Sequence, residues 1–146
     1  MPIRLIDFAT ESDALRDLRM RVLYPGRSPE RANYPGDETG VHIGAYLETG
    51  ELSGCASLFW NDADTLQLRG MATNDALRGT GAGQGIVRFA EAFARDNNAV
   101  RLWCNARATA VGFYERCGWT TEGDEFDVAS IGGHFVMVSA TVPDAA

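Results

Sequence analysis

A glycine-rich segment between a predicted strand and a predicted helix is the part of this chain best suited to chemistry. Residues 78–85 read Arg-Gly-Thr-Gly-Ala-Gly-Gln-Gly, directly before the apolar positions of a helix. Glycines let backbone N–H groups face outward and let an anion come close, and the positive end of the helix dipole favours negative charge. Each glycine also destabilises a helix start by roughly 0.5–1 kcal/mol relative to alanine, which indicates an offsetting function. The segment therefore predicts a phosphate site, and the alternative is a purely structural turn.

The spacing of these glycines decides which phosphate motif the segment resembles. The dinucleotide fingerprint G-x-G-x-x-G fails, because Gln84 and Ile86 stand where its third glycine is required. The P-loop pattern needs a lysine, and all 13 basic residues of this chain are arginine. The spacing that fits is R-x-x-G-x-G, formed by Arg78, Gly81 and Gly83.

Two segments of the chain together resemble the GNAT superfamily of N-acetyltransferases. The R-x-x-G-x-G pattern after residues 66–73 is similar to the acetyl-CoA-binding motif of that family. Residues 110–119, Ala-Val-Gly-Phe-Tyr-Glu-Arg-Cys-Gly-Trp, resemble its A-x-x-F-Y-E-x-x-G-F segment, with Trp119 in place of phenylalanine. The tail at residues 131–137 resembles a bacterial, ElaA-like branch, which carries a histidine and a methionine near that point. The order of elements over essentially the whole chain is also that of a GNAT domain.

The resemblance implies a binding site for acetyl-CoA as co-substrate. Backbone groups of Met71 and Thr73 would pair with the pantetheine arm, and the amides of the glycine loop would surround the pyrophosphate, with Arg78 at the start of the loop. The family often has asparagine seven residues before its tyrosine, but this chain has Arg107 there, and Asn105 is the nearby substitute. The cofactor-binding candidates are Met71, Ala72, Thr73, Arg78, Gly79, Thr80, Gly81, Ala82, Gly83, Gln84 and Asn105.

Tyr114 is the catalytic candidate, because the resemblance places it beside the thioester sulfur. A phenol with a pKa near ~10 can donate to a thiolate near ~8.5 as charge develops on sulfur. The alternative is that Tyr114 only packs. Residues 106–117 are predicted to be a helix whose apolar stripe, Ala106 to Cys117, forms a core face without the tyrosine.

The proton acceptor for the attacking amine is less well defined. Gln67 stands near the place of the family's frequent acidic base. His134 is a candidate base, since the unperturbed pKa of histidine lies near ~6.5, and the alternative is an ordinary polar residue at a strand start. Glu125 and Asp127 lie two apart on a predicted strand, so they share a face that attracts a cationic acceptor or is simply solvated. His42 is predicted only to begin a strand.

The elements that would position these residues follow the order β-α-βββ-α-β-α-ββ. This predicts an α+β fold, a single GNAT-type domain over residues 1–146. Its mixed, mostly antiparallel central sheet has about seven strands, flanked by helices, with at least one crossover helix between neighbouring strands. Residues 24–40 carry three of the five prolines and read as a loop that contributes to substrate specificity.

Composition limits the partners. The formal net charge of −7 argues against nucleic acid and favours a cationic or neutral amine, of a small molecule or a peptide, as acceptor. Three cysteines in apolar surroundings predict reduced core residues, and no spacing predicts a metal site. With no membrane span or signal-peptide pattern, we expect a cytoplasmic monomer or homodimer. The sequence favours an acetyl-CoA-dependent N-acetyltransferase; the alternative is a non-catalytic acyl-CoA-binding or sensing module.

Overall fold

The computed structural model describes residues 2–129 and 131–143. Its helices are α1 (Phe8–Leu23), α2 (Ala82–Asp96) and α3 (Val111–Arg116), with short 3-10 segments at Pro29–Ala32, Asp75–Leu77 and Ala108–Ala110. Its strands are β1 (Ile3–Leu5), β2 (Val41–Tyr46), β3 (Leu52–Trp60), β4 (Thr65–Thr73), β5 (Arg101–Arg107), β6 (Trp119–Val128) and β7 (Gly132–Ser139). No helix within the described ranges is long and apolar enough to cross a membrane.

The strands form one sheet in the order β1-β2-β3-β4-β5-β7-β6. The β4–β5 ladder is parallel, and α2 is the crossover between these two strands. The ladders β1–β2, β2–β3, β5–β7 and β6–β7 are antiparallel. The predicted α+β class, the element order and the mixed sheet are confirmed.

Residue contacts group the chain into two compact units. One comprises Met1–Phe59 and Arg69–Ala90, and the other comprises Trp60–Leu68 and Glu91–Ala146. β4 and α2 contribute residues to both. The single domain over residues 1–146 stays a prediction, and both of its ends lie outside the described residues.

The first unit is built around the apolar face of α1. Leu15 and Leu18 are fully buried and form a cluster with residues of β2, β3 and β4, among them Tyr46, Leu52 and Ala72. Each such leucine contributes roughly 1.5–3 kcal/mol by leaving water. Leu15 and Leu18, together with the partly buried Val22, therefore mark the face that α1 buries.

Arg19 lies on that buried face, four residues after Leu15, and its guanidinium is fully buried. It forms a bidentate ion pair with Asp37, in which Nη1 donates to Oδ2 at 2.8 Å and Nη2 to Oδ1 at 3.0 Å. Nη1 also donates to the carbonyl of Ala32 at 2.8 Å, and Nη2 to Oγ of Ser57 at 2.9 Å. These bonds attach loop 24–40 to α1 and β3.

His42 extends this buried network. Its Nε2 lies 2.8 Å from the carbonyl of Asp37, and because a carbonyl only accepts, Nε2 is the protonated nitrogen. Nδ1 then accepts from Oγ of Ser57 at 2.7 Å. Burial is the main cause that lowers the pKa of His42, and nearby Arg19 lowers it further. Burial alone would raise the pKa of Asp37, but hydrogen bonds from Arg19 and the Tyr34 N–H hold it below its usual value.

The second unit contains a buried carboxylate, Glu91 of α2. It accepts from Nε1 of Trp119 and from Oγ of Ser139, each at 3.0 Å. Cys104 and Cys117 are buried free thiols of this unit, and Cys55 is one of the first, as predicted for reduced core residues.

The predicted helix over residues 106–117 is wrong at its start. β5 runs to Arg107, and α3 begins only at Val111. The ladder with β7 pairs Cys104 with Met137 and continues to Arg107 opposite His134. Sheet hydrogen bonds to a neighbouring strand therefore override the local preference of this alanine-containing segment for helix.

We expect Asp37→Asn to lower the free energy of unfolding by about 3–5 kcal/mol, because it leaves the buried guanidinium of Arg19 without its counter-charge. The matched control is Asp17→Asn, which breaks the exposed pair with Arg21 and should cost less than about 1 kcal/mol. Urea unfolding of both variants measures the difference. Equal losses of unfolding free energy in the two variants would show that the buried pair stabilises the fold no more than the exposed pair does.

Stability should also depend on pH through His42. Its pKa is lower in the folded chain than in the unfolded chain, so its contribution is present above about pH 6.5 and is lost as the pH falls through the folded pKa. The slope contributed by this one group is at most about 1.4 kcal/mol per pH unit. Urea unfolding between pH 7.5 and 5 should show a smaller slope in His42→Gln than in the wild type. An unchanged slope would exclude His42 as its source.

Candidate active site

The glycine loop joins β4 to α2 through a tight turn. Asn74 caps the 3-10 turn after β4 by accepting from the Ala76 N–H at 3.1 Å. Gly79 and Gly81 then have φ values of +77° and +79°, in the left-handed region that favours glycine. Oγ1 of Thr80 donates to the carbonyl of Leu77 at 2.6 Å and holds the turn closed. α2 begins at Ala82, and its first turn has no acidic residue.

The prediction that four glycines destabilise the start of a helix needs correction. Gly79 and Gly81 precede the helix, where the turn requires their positive φ. Gly85 is explained by packing, since an added Cβ would stand 2.5 Å from Cδ1 of Ile3. An added Cβ at Gly79 or Gly81 meets nothing within 4 Å, so their outward side is open to a ligand.

Arg78 stands at the start of this loop with its side chain 83% exposed. Its Nη2 donates to Oδ1 of Asp75 at 3.0 Å, an (i, i+3) contact at the surface. Such exposed pairs contribute little, so a stronger anion could replace Asp75 as the partner of this guanidinium. Arg78 is thus accessible at the start of the loop, and its role in binding the cofactor stays a prediction.

β4 continues beyond its ladder with β5. That ladder runs from Thr65 opposite Arg101 to Leu68 opposite Cys104, and β4 then extends to Thr73. Ala72 is buried in the core cluster of the first unit, so only its backbone can bind a ligand. Met71 and Thr73 are half-buried.

Tyr114 is only 4% exposed and is the buried residue of α3. The prediction that it lies off the core face is therefore wrong, because the helix starts later and turns a different face inward. Its ring lies 5.2 Å from that of Trp119, and its hydroxyl is hydrogen-bonded to the thiol of Cys104. Burial, followed by the neighbouring Cys104, raises the pKa of Tyr114 well above 10. The phenol is therefore neutral and retains its proton at pH 7.

The family model of the acetyltransferase (GNAT) family matches residues 12–119. This chain belongs to the GNAT family. The match includes β4, the glycine loop and α3, which carry the two motifs recognised in the sequence. The chain is thus an enzyme of the acyltransferase class.

Three known proteins show how the chain compares with other GNAT members. The uncharacterized N-acetyltransferase YitI of Bacillus subtilis (strain 168) is 34% identical over 129 residues, which cover 83% of this chain and 86% of YitI. An aminoglycoside 6'-N-acetyltransferase complexed with coenzyme A is 16% identical, with a TM-score of 0.77 and all of both chains covered. Escherichia coli ElaA is 18% identical, also with a TM-score of 0.77, covering 94% of this chain and 98% of ElaA. At these identities the two structures show the shared fold.

Arg107, which departs from the GNAT pattern, and Asn105, its nearby substitute, both lie on β5. Asn105 is exposed, whereas its neighbours Cys104 and Ala106 are buried, so the asparagine lies on the opposite face of the strand. Arg107 is half-buried and lies opposite His134 in the β5–β7 ladder. A role for Asn105 in binding pantetheine stays a prediction.

His134 is more enclosed than a polar residue at a strand start. It is 7% exposed, its ring stacks on Phe126 at 5.9 Å, and Nδ1 lies 2.9 Å from the carbonyl of Gly132. That carbonyl only accepts, so Nδ1 donates, and in the neutral ring Nε2 keeps its lone pair.

Glu125 and Asp127 are both exposed on β6. The register of β6 against β7 shifts between Glu122 and Phe126, and Gly123 in this bulge has φ +83°. The bulge lies before Phe126, which is half-buried between the two exposed carboxylates. The Glu125 carboxylate lies against the Cβ position of Gly133, the residue that pairs with Asp127, so both carboxylates lie on one face, as predicted.

Sequence reasoning missed the buried polar cluster of the first unit. His42 does more than begin a strand, and Arg19, Asp37 and Arg69 were not selected as candidates. One signal for it was available: Arg19 interrupts the apolar spacing of α1, and a charged residue on such a face is buried only when it is paired.

Proposed function

We propose that this GNAT enzyme transfers the acetyl group of acetyl-CoA to a primary amine of a small molecule or peptide by direct attack. The proposal rests on the turn before α2. There Gly79 and Gly81, both with positive φ, leave open space beside the first-turn amides of a 15-residue helix. Such amides and the helix dipole favour a pyrophosphate. A GNAT neighbour complexed with coenzyme A supports the same ligand for this chain.

In this proposal the backbone of β4 binds the pantetheine arm. Met71 and Thr73 lie beyond the β4–β5 ladder, so their backbone groups can pair with an extended amide chain as a strand would. Arg78 adds a solvent-exposed positive charge near the phosphates. The amides of residues 79–84 then complete the pyrophosphate site.

The reaction forms a bond between the amine nitrogen and the acetyl carbon and breaks the carbon–sulfur bond. The amine must lose a proton, and the departing thiolate must gain one or be stabilised. Tyr114 would supply the hydrogen bond to sulfur. Because the pKa of Tyr114 is raised by burial, complete transfer to a thiolate near ~8.5 is uphill, and its role is donation to developing charge.

His134 is the proposed proton acceptor for the amine. Its Nδ1–H donates to Gly132, which fixes the tautomer and keeps the lone pair on Nε2. With Gln67 on β4 engaged by Nδ2 of Asn61 at 3.0 Å, the fourth strand offers an amide rather than a carboxylate near the family's usual base position. Water is the other route for this proton.

The loop assignment predicts that Gly81→Ala weakens acetyl-CoA binding at least tenfold. The added methyl group occupies the open side of the turn and strains a backbone at φ +79° by roughly 1–2 kcal/mol. Gly50→Ala is the matched control, since Gly50 has φ +89° and also nothing within 4 Å, but lies in the β2–β3 turn. Calorimetry should show a loss only in Gly81→Ala. Undiminished affinity there would reject the loop as the binding site.

The assignment of Tyr114 predicts that Tyr114→Phe lowers turnover by about 10- to 100-fold while acetyl-CoA affinity stays nearly constant. Cys104→Ala is the control, because it removes the hydrogen-bond partner seen for the phenol but leaves the phenol in place. Release of free thiol, measured under conditions where chemistry limits the rate, distinguishes the two. If both variants lose activity equally, Tyr114 acts only through packing.

A further inference from the structure

Arg69 of β4 is held against aromatic rings. Its Cζ lies 4.5 Å from the ring centroid of Tyr34 and 5.9 Å from that of Phe59, and the residue is half-buried. Within residues 2–129 and 131–143 it has no ion pair. By contrast, ion pairs with carboxylates are formed by Arg4, Arg16, Arg19, Arg21, Arg78 and Arg101. Ring contacts stabilise a guanidinium but leave its N–H donors to other partners.

The position of Arg69 is fixed by the surroundings of Tyr34. The hydroxyl of Tyr34 lies 2.8 Å from that of Tyr24, and Cζ of Arg19 lies 3.9 Å from its ring centroid. Gly70 has φ +67°, and an added Cβ there would stand 2.8 Å from the Tyr34 ring, so the strand approaches the ring closely. Burial raises the pKa of Tyr34, so the phenol stays neutral and does not compensate the charge of Arg69.

The direction of β4 places Arg69 toward the thioester end of the acetyl-CoA that we propose to bind here. The loop at residues 78–84 follows the strand, so an arm that starts there meets Thr73 first and Met71 next. Continued in the same direction, it approaches Gly70 and Arg69, which precede Met71 on the strand. At about 3.3 Å per residue, Arg69 lies roughly 13 Å along the strand from Thr73.

We propose that Arg69 determines acceptor specificity by binding a carboxylate of the acceptor, so that the substrate is an amine that also carries a carboxylate, as amino acids do. This inference rests on the proposed acetyl transfer and names its substrate class. A planar guanidinium binds a carboxylate through two parallel hydrogen bonds. Arg19 in the same cluster is already paired with Asp37, which directs the ligand to Arg69. A zwitterionic amine also suits a chain of net charge −7 better than a polyanion does.

The test compares L-amino acids with their carboxamides as acceptors for the wild type, Arg69→Met and Arg69→Lys. We expect the wild type to prefer the amino acids, and Arg69→Met to lower their kcat/KM by about 10- to 100-fold, mainly through KM. The carboxamides should change less than about threefold, and acetyl-CoA affinity should not change. Arg69→Lys should be intermediate, because lysine keeps the charge and loses the paired geometry. Arg101→Met, which removes another arginine near an aromatic ring, should leave the preference unchanged.

Several results would overturn the inference. Equal losses for amino acids and carboxamides would make Arg69 a structural residue, and a wild type that prefers carboxamides would exclude carboxylate binding while leaving acetyl transfer intact. A second readout separates this inference from the transfer reaction itself: the NMR signal of the Arg69 Nε–H should shift saturably with an amino acid and not with its carboxamide. If no amine is acetylated but the signal shifts, the proposed function fails and the carboxylate site stands. If the signal does not shift, the site is rejected.

Discussion

The buried ion pair between Arg19 and Asp37 is the interaction on which the first unit depends. Removing a guanidinium and a carboxylate from water is costly, and their attraction offsets that cost only when the remaining donors and acceptors are also satisfied. Here the carbonyl of Ala32 and the hydroxyl of Ser57 accept from the guanidinium, and the Tyr34 N–H donates to the carboxylate at 3.0 Å. Nε of Arg19 has no partner among the described residues, so the compensation is incomplete. The pair therefore gives the unit a specific arrangement more than it gives net stability.

That arrangement connects elements distant in sequence. Asp37 belongs to loop 24–40, Arg19 to α1, and Ser57 to β3. Once the loop is attached in this way, Tyr34 packs over Gly70 and contacts Arg69 on β4. This gives a physical basis to the prediction that the loop contributes to specificity. Tyr34 of the loop contacts Arg69, the residue that we propose binds the carboxylate of the acceptor.

In the second unit, burial changes the acidity of the proposed catalytic residue, Tyr114. Tyr114 is enclosed by Phe113, Trp119 and the thiol of Cys104, which keeps the phenol protonated but makes it a weak acid. In the role that we propose, such a phenol would stabilise a departing thiolate by a hydrogen bond and not by giving up its proton. Because Tyr114 is buried, a test of that role needs a packing control.

The sequence by itself determined the family, the element order and the glycine loop. These follow from local signals: the spacing of Arg78, Gly81 and Gly83 and the segment at residues 110–119 can be read from the chain without knowledge of its tertiary contacts. The start of α3 and the burial of Tyr114 were not predictable, because hydrogen bonds from β7 decide that residues 104–107 are strand. The roles of Arg19, His42 and Arg69 were also decided by tertiary structure. A charged side chain is buried only when a partner, here Asp37 at 18 residues' distance or the ring of Tyr34, is brought to it by the fold.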